Sequence, residues 1–202
     1  MREIVLATRN KKKIEEFKRI TKDTGVALLT LDDFPGCPEV IEDGVTFEEN
    51  AEKKAKSVAA YTGKAALADD SGLEVNALNG APGVRSARFA GKNADDEKNV
   101  KKLLFEMRSL GPDKRGARFV CCMVLAFPDG IIHKFFGYAE GIIATEPKGI
   151  YGFGYDPVFY PEGHRRTFAE MPDEEKDALS HRGKALRQVY EFLRTRNFIG
   201  SH

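Results

Sequence analysis

Two adjacent carboxylates in an apolar setting, in Ala68-Asp69-Asp70-Ser71-Gly72-Leu73, are the residues of this chain best suited to hold a divalent cation or to move a proton. Leu67 and Ala68 read as a short strand that ends at the acids, and Gly72 as a tight turn that lets them project from the strand end. The same string is also ordinary turn chemistry, so the acids need company before they make a site. Glu42, in a polar loop upstream, offers a third hard oxygen donor. In Glu48-Glu49-Asn50-Ala51-Glu52-Lys53-Lys54-Ala55, Asn50 and Lys54 are four apart and share a helix face that can point at a ligand. Glu49 with Lys53 reads more simply as an exposed ion pair worth about 0.3 kcal/mol.

Three further segments carry possible binding chemistry. Thr8-Arg9-Asn10-Lys11-Lys12-Lys13 stands where an opening strand hands over to a helix. Unpaired N–H groups and the positive dipole end favour phosphate there, with Thr8, Asn10 and a lysine one turn in as added donors. Alternatively, Asn10 caps the helix and the lysines form a solvated face. The segment lacks the glycines of a Walker loop. In Gly152-Phe153-Gly154-Tyr155-Asp156-Pro157 the small residues permit close backbone approach, and Phe153 or Tyr155 either offers a flat face to a base or packs in a core. Ser180-His181-Arg182-Gly183, preceded by Glu174-Glu175-Lys176, puts two cations in a first helical turn, where they oppose the dipole. A ligand would explain that conflict.

The elements that must position these residues alternate. Glu3 to Ala7 reads as a strand, Lys11 to about Lys22 as a helix with Ile14, Phe17 and Ile20 or Thr21 on one face, and a stretch near Val26 to Leu31 as a second strand. Thr46 and Glu49 form a capping box for a helix that ends at Gly63. Ala65 to Asp69 and Leu73 to Val75 read as two strands, Asp95 to Arg108 as a helix, and Ala117 to Phe127 and Ile131 to Ile143 as a hairpin turning at Pro128-Asp129-Gly130. A last helix runs from about Ser180 to Arg194. The expectation is an α/β fold with a mixed, elongated central sheet flanked by helices, as one domain over residues 1–202 with two lobes.

Composition narrows the function classes. Lysine and arginine total 32 against 31 acids, a net charge of +1, which argues against a protein that coats duplex nucleic acid. No apolar run approaches the length of a membrane span, so no membrane partner is expected. The start, Met1-Arg2-Glu3-Ile4-Val5-Leu6-Ala7, is too short for a secretory signal, and the cytoplasm is the expected location. Cys37 stands alone and Cys121 and Cys122 are adjacent in a strand, so neither metal spacing nor a disulfide framework is present.

Six motifs in order are similar to those of the inosine triphosphate pyrophosphatase family, most closely its bacterial members that act on noncanonical purine nucleotides such as XTP, ITP and dITP. They are Leu6-Ala7-Thr8-x-Asn10-x-x-Lys13, Thr46-Phe47-x-Glu49-Asn50-Ala51, Ala68-Asp69-Asp70-Ser71-Gly72-Leu73, Gly80-Ala81-Pro82-Gly83 with Ser86-Ala87-Arg88, Gly152-Phe153-Gly154-Tyr155-Asp156-Pro157, and Ser180-His181-Arg182-Gly183. The resemblance implies a mixed-sheet α/β fold with two lobes around a nucleotide cleft, a homodimer, and Mg2+-dependent cleavage of the α–β phosphoanhydride to a nucleoside monophosphate and pyrophosphate. Asp70 falls at the position of the general base, Glu42 and Asp70 at those near the metal, and Asp69 in a supporting role. Thr8, Asn10, Lys13, Lys54 and Ser71 fall where the phosphates are held, and Arg9, Lys11 and Lys12 are carried with the same run. Phe153, Gly154, Tyr155, Asp156, Lys176, His181 and Arg182 fall where the base and sugar are held.

The assignment makes physical sense. A triphosphate carries about four negative charges, which Mg2+, Lys13 and Lys54 can offset as pyrophosphate departs. Hypoxanthine and xanthine present a 6-oxo acceptor where adenine presents an amino donor, so donors such as the Arg182 guanidinium or a backbone N–H would reward the former. Lys11 and Lys12 beside Lys13, and Lys53 beside Lys54, leave the register of the lysine contacts to motif spacing, and Pro161-Glu162-Gly163-His164-Arg165-Arg166 is more basic than the family pattern. Two rival readings are a noncatalytic purine-nucleotide-binding sensor and a metal phosphatase that releases orthophosphate.

Overall fold

The first apolar run folds as strand β1 (Glu3–Leu6), with Ile4, Val5 and Leu6 fully buried. It pairs in parallel on both sides, with β2 (Ala27–Leu29) and with β3 (Ala65–Val75). The computed structural model describes residues 3–22 and 24–195; Met1 and Arg2, the charged start in the sequence reading, lie outside them. β4 (Gly116–Ala126) and β5 (Ile132–Ile143) are sheet neighbours joined by a turn in which Gly130 N–H donates to Phe127 O and Phe127 N–H to Ile131 O, the hairpin expected at Pro128-Asp129-Gly130. β6 (Phe159–Pro161) closes the order antiparallel to β5, giving β2-β1-β3-β4-β5-β6 among the described residues. Parallel and antiparallel pairs together make the sheet mixed, as the sequence implies.

The helices start where their caps say. Asn10 Oδ1 accepts from Lys13 N–H at 3.3 Å to open α1 (Lys11–Ile20). Thr46 Oγ1 accepts from Glu49 N–H to open α2 (Phe47–Thr62), which Gly63 ends in the left-handed region. Asp95 caps α3 (Asp96–Glu106). Two helices then follow in succession, α4 (Asp173–Leu179) and α5 (His181–Thr195), separated by the extended residue Ser180. α4 is not among the elements expected above. Its signal was present: Pro172 stands just before the first turn, and Asp173, Glu174 and Glu175 fill that turn with charges suited to the dipole.

Two local expectations are corrected. The strand through the acidic pair does not stop at Asp69, and Gly72 is not a turn: Ala65–Val75 is one continuous strand. Leu73 and Val75 are fully buried, and Leu73 N–H is satisfied by Ser86 Oγ at 2.9 Å, so the chain runs on through the serine and glycine. Alternation along a continuous strand sends Asp69 and Asp70 to opposite sides of it instead of side by side from its end. Glu49 does not pair with Lys53. Its carboxylate accepts from Val45 N–H at 2.7 Å ahead of the cap, while Lys53 reaches Asp43 at 2.6 Å.

The chain forms two compact units. The first comprises the chain up to Asp70, Cys121–Gly137 and the chain from Gly183 onward; the second comprises Ser71–Val120 and Tyr138–Arg182. Each has its own apolar core. Leu6, Phe17, Leu67, Met123, Leu125, Leu186 and Val189 cluster in the first. Leu73, Leu103, Phe119, Ile143, Phe159, Phe168 and Met171 cluster in the second. In the second unit the buried Arg115 guanidinium donates to the carbonyls of Met107, Ile143 and Ala144, which ties the end of α3 to the end of β5; burial lowers its pKa. Cys37, Cys121 and Cys122 are buried and form no disulfide, and burial pushes the Cys122 thiol up to about 12, which disfavours its thiolate.

Gly141 lies where β5 meets β6, and a Cβ there would stand 2.2 Å from Tyr160 O and 2.6 Å from Phe159 Cζ. Gly141→Ala is expected to cost about 1–3 kcal/mol in urea denaturation, the usual penalty of overpacking. Unchanged stability would show that β6 can move aside freely.

Candidate active site

In the first unit, α1, α2, β3 and the loop before α2 bring five charged groups together. The Lys54 ammonium donates to Glu42 Oε2 at 2.8 Å and to the Asp69 carbonyl at 2.7 Å. Lys13 pairs with Asp69 Oδ2 at 2.8 Å, so the strand neighbour of Asp70 serves α1. Asp70 Oδ2 accepts from Asn50 Nδ2 at 3.0 Å, and Asn50 Oδ1 in turn accepts from Gly44 N–H at 2.8 Å. The helix face shared by Asn50 and Lys54 thus points at the acids. Gly44, which the sequence reading did not single out, is the backbone donor that sets the Asn50 amide.

Burial and charge compete within this group. Burial raises the Asp70 pKa above the ordinary 3.8; Lys54, Lys13 and the Asn50 hydrogen bond pull it back, and the net shift is upward. For Lys54, burial disfavours the ammonium, yet Asp69, Glu42 and Asp70 outweigh it and the pKa rises. Lys13 and Lys54 bring +2 and Glu42, Asp69 and Asp70 bring −3, leaving a formal −1. Beside the two ammonium groups and the Asn50 NH2, Glu42 and Asp70 supply carboxylate oxygens, the ligand type a hard divalent cation takes. Among the described residues no three His, Cys, Asp or Glu side chains gather as a metal cage. The expectation that Glu42, Asp69 and Asp70 act as three donors on one ion is therefore corrected, because Asp69 leaves on the other side of β3 toward Lys13.

The remaining residues of the Thr8–Lys13 run have defined local roles. Thr8 Oγ1 accepts from Asn10 N–H at 3.2 Å, Asn10 caps α1, and Arg9 donates to Cys37 O at 3.0 Å. Lys11 and Lys12 are exposed in the first turn, where no acid stands.

In the second unit, a cluster of cations surrounds one aromatic ring. The ring of Phe153 has Lys176 Nζ at 4.9 Å and Arg182 Cζ at 5.5 Å from its centroid. Arg182 donates to Ser71 Oγ at 2.9 Å. His181 stacks on Phe119, with centroids 4.7 Å apart and planes 8° from parallel; Phe119 was not expected from the motifs, although the alternation of β4 gives it an inward place. Asp156 is buried, and its Oδ2 accepts from both Lys176 Nζ at 2.7 Å and Phe153 N–H at 2.8 Å. Gly152 has φ +72° and a Cβ there would meet Asp156 Oδ2 at 2.1 Å, so the loop needs glycine at that point for its own folding. Gly154 N–H donates to Asp96 at 2.8 Å. Tyr155 is core: it is buried, its hydroxyl donates to Ser86 O at 2.8 Å, and burial raises its pKa. Of the two aromatic residues offered by the sequence, Phe153 is the half-buried one with cations around it.

A model of the Ham1 family matches residues 4–192. A dITP/XTP pyrophosphatase of Desulforamulus reducens is 52% identical over 190 residues, which are 94% of this chain and 94% of that protein. One of Geobacter sulfurreducens is 50% identical over 193 residues, covering 96% and 97%. The solved structure of a HAM1 protein from Coxiella burnetii is similar with a TM-score of 0.89 at 44% identity, covering 96% of this chain and 100% of that one.

The raised pKa of Asp70 has a consequence for stability without metal. A carboxylate whose folded pKa is raised contributes stability that is complete below its unfolded pKa and is lost as pH rises through the folded value. Asp70→Asn is therefore expected to be more stable than the parent protein at neutral pH, with the advantage shrinking as pH falls toward 3.8. Urea denaturation in chelator at several pH values measures this; a less stable variant at neutral pH would mean that attraction to the lysines outweighs burial.

Proposed function

Because the chain belongs to the Ham1 family, whose relatives bear the name dITP/XTP pyrophosphatase, we propose that it hydrolyses dITP, XTP and ITP to the nucleoside monophosphate and pyrophosphate. The observation that carries the reading is the buried Asp70 carboxylate, oriented by Asn50 and flanked by Lys13, Lys54 and Glu42. Such a group is equipped to take the proton of an attacking water, and burial with a raised pKa improves it as a base at neutral pH. Lys13 and Lys54 offset the charge of the phosphates, with Thr8, Asn10 and Ser71 as further donors. Phe153, Lys176, His181 and Arg182 are assigned to the base and sugar. A guanidinium can donate to a 6-oxo group and has no acceptor for a 6-amino group, which favours hypoxanthine and xanthine over adenine.

The oxygen donors Glu42 and Asp70, in surroundings of formal charge −1, suit Mg2+, which uses one or two carboxylates and fills its other positions with water and substrate phosphates. When bound there, Mg2+ supplies charge neutralisation for the phosphates and the departing pyrophosphate. A net charge of +1 supports free nucleotides over nucleic acid as substrate. No helix among the described residues is long and apolar enough to cross a membrane. The reading further takes the enzyme as a cytoplasmic homodimer, on the resemblance of its motifs.

The test is a nucleotide panel with Mg2+ in which pyrophosphate and orthophosphate are measured separately. Pyrophosphate from dITP, XTP and ITP, with little from ATP, is the expected result; orthophosphate would make the protein a phosphatase, and binding without turnover would make it a sensor. Asp70→Asn is expected to lower kcat by about 10²–10⁴-fold while nucleotide still binds in calorimetry. Full activity in that variant would remove Asp70 as the base. Arg182→Ala is expected to reduce the preference for ITP over ATP by about 10-fold or more in kcat/KM ratios. An unchanged ratio would take Arg182 out of recognition.

A further inference from the structure

Four consecutive residues of the loop before α2 are bonded to that helix. Glu42 is held by Lys54 at 2.8 Å, Asp43 by Lys53 at 2.6 Å, Gly44 N–H by Asn50 Oδ1 at 2.8 Å, and Val45 N–H by Glu49 Oε2 at 2.7 Å. Two of the helix residues also reach β3. Lys54 donates to Asp69 O, and Asn50 Nδ2 donates to Asp70 Oδ2 at 3.0 Å. These two stand one helical turn apart, so a single face of α2 holds both the loop that carries Glu42 and the strand that carries Asp70.

The orientation of the Asn50 carboxamide follows from its partners. Gly44 N–H can only donate and therefore takes the oxygen end; a carboxylate accepts and therefore takes the NH2 end. Asn50 is 1% exposed, so water does not compete for either bond. The fit is also tight: a Cβ on Gly44 would lie 2.7 Å from Asn50 Oδ1. The terminal torsion of an aspartate is broad, and a fixed donor at one oxygen sets the plane of the carboxylate and hence the direction of the other oxygen.

We infer that Asn50 is a positioning residue for the hydrolysis, with Gly44 N–H locking its carboxamide so that Asp70 is presented to the water in one orientation. The inference rests on the reading of Asp70 as the base. Asn50 touches neither water nor nucleotide in this role; it acts through Asp70, and small misplacements of a reacting group are costly in rate.

A double-mutant cycle tests it, with pyrophosphate release from dITP as the readout. Asn50→Ala is expected to lower kcat by about 10–100-fold, the usual effect of losing an outer partner of a site residue, with KM little changed. Gly44→Ala keeps both Asn50 and Asp70 but displaces the amide, and it is expected to lower kcat in the same sense. The double variant is expected to be no slower than Asn50→Ala alone. Additive losses, a KM effect with kcat intact, or a folded Asn50→Ala protein with full kcat would overturn the inference. If Asn50→Ala does not fold, the side-chain amide signal of Asn50 in the nucleotide-free, metal-free protein decides: it is expected to move in both Gly44→Ala and Asp70→Asn, and an unmoved signal overturns the inference. Failure of the underlying reading looks different, since there Asp70→Asn itself would retain activity.

Discussion

The buried ammonium of Lys54 is the interaction on which the acidic group depends. Without it, the charge of Glu42 would add to the burial that already disfavours ionisation of Asp70, with less to oppose either. With it, and with Lys13 on Asp69, the group holds its carboxylates near neutrality of charge but short of it. That residual negative charge suits the proposed Mg2+, and the pull of the two lysines opposes burial at Asp70. The placement follows from α2. Its cap at Thr46 and stop at Gly63 fix the helix, and the four-residue spacing of Asn50 and Lys54 puts an amide and an ammonium on one face.

The second unit uses the same kind of arrangement for another purpose. The Lys176–Asp156 pair is buried, and Asp156 also fixes the backbone of the glycine loop through Phe153 N–H. A buried pair of this sort adds little net stability, but breaking it leaves a charge stranded. Its effect is to keep the Phe153 ring with cations near its face. Tyr155, two residues on, has the opposite fate because its ring fills the core and its hydroxyl has a carbonyl to meet.

Strongly periodic and well-capped stretches were legible in the sequence. The cap at Thr46, the stop at Gly63, the hairpin at Pro128-Asp129-Gly130 and the mixed sheet appear as their residue patterns require, except that the Glu49 carboxylate accepts from Val45 N–H and not from the Thr46 N–H of a capping box. What misled was local chemistry that tertiary structure overrode. Ser71-Gly72 has turn composition, but Ser86, distant in sequence, satisfies the Leu73 N–H and the strand continues. Lys53 lies at ion-pair spacing from Glu49, but Glu49 is used by the backbone ahead of the helix and Asp43 is nearer to the lysine. The motifs named Asp70, Lys54 and Lys13, which the structure gathers into one charged group. They carried no information on Gly44 or Phe119, whose contributions are a backbone N–H and a ring face, neither of which has a sequence signature.

The most direct measurement of this account is the pKa of Asp70, read from its side-chain carboxyl carbon by NMR in nucleotide-free, metal-free protein, in the parent and in Lys54→Met. The balance described above predicts a value above the ordinary 3.8 in the parent and a higher one in Lys54→Met, since burial then acts with less opposition. An unshifted value in the parent, or one that falls or stays fixed when Lys54 is removed, would contradict the claim that Lys54 sustains the ionised form of Asp70.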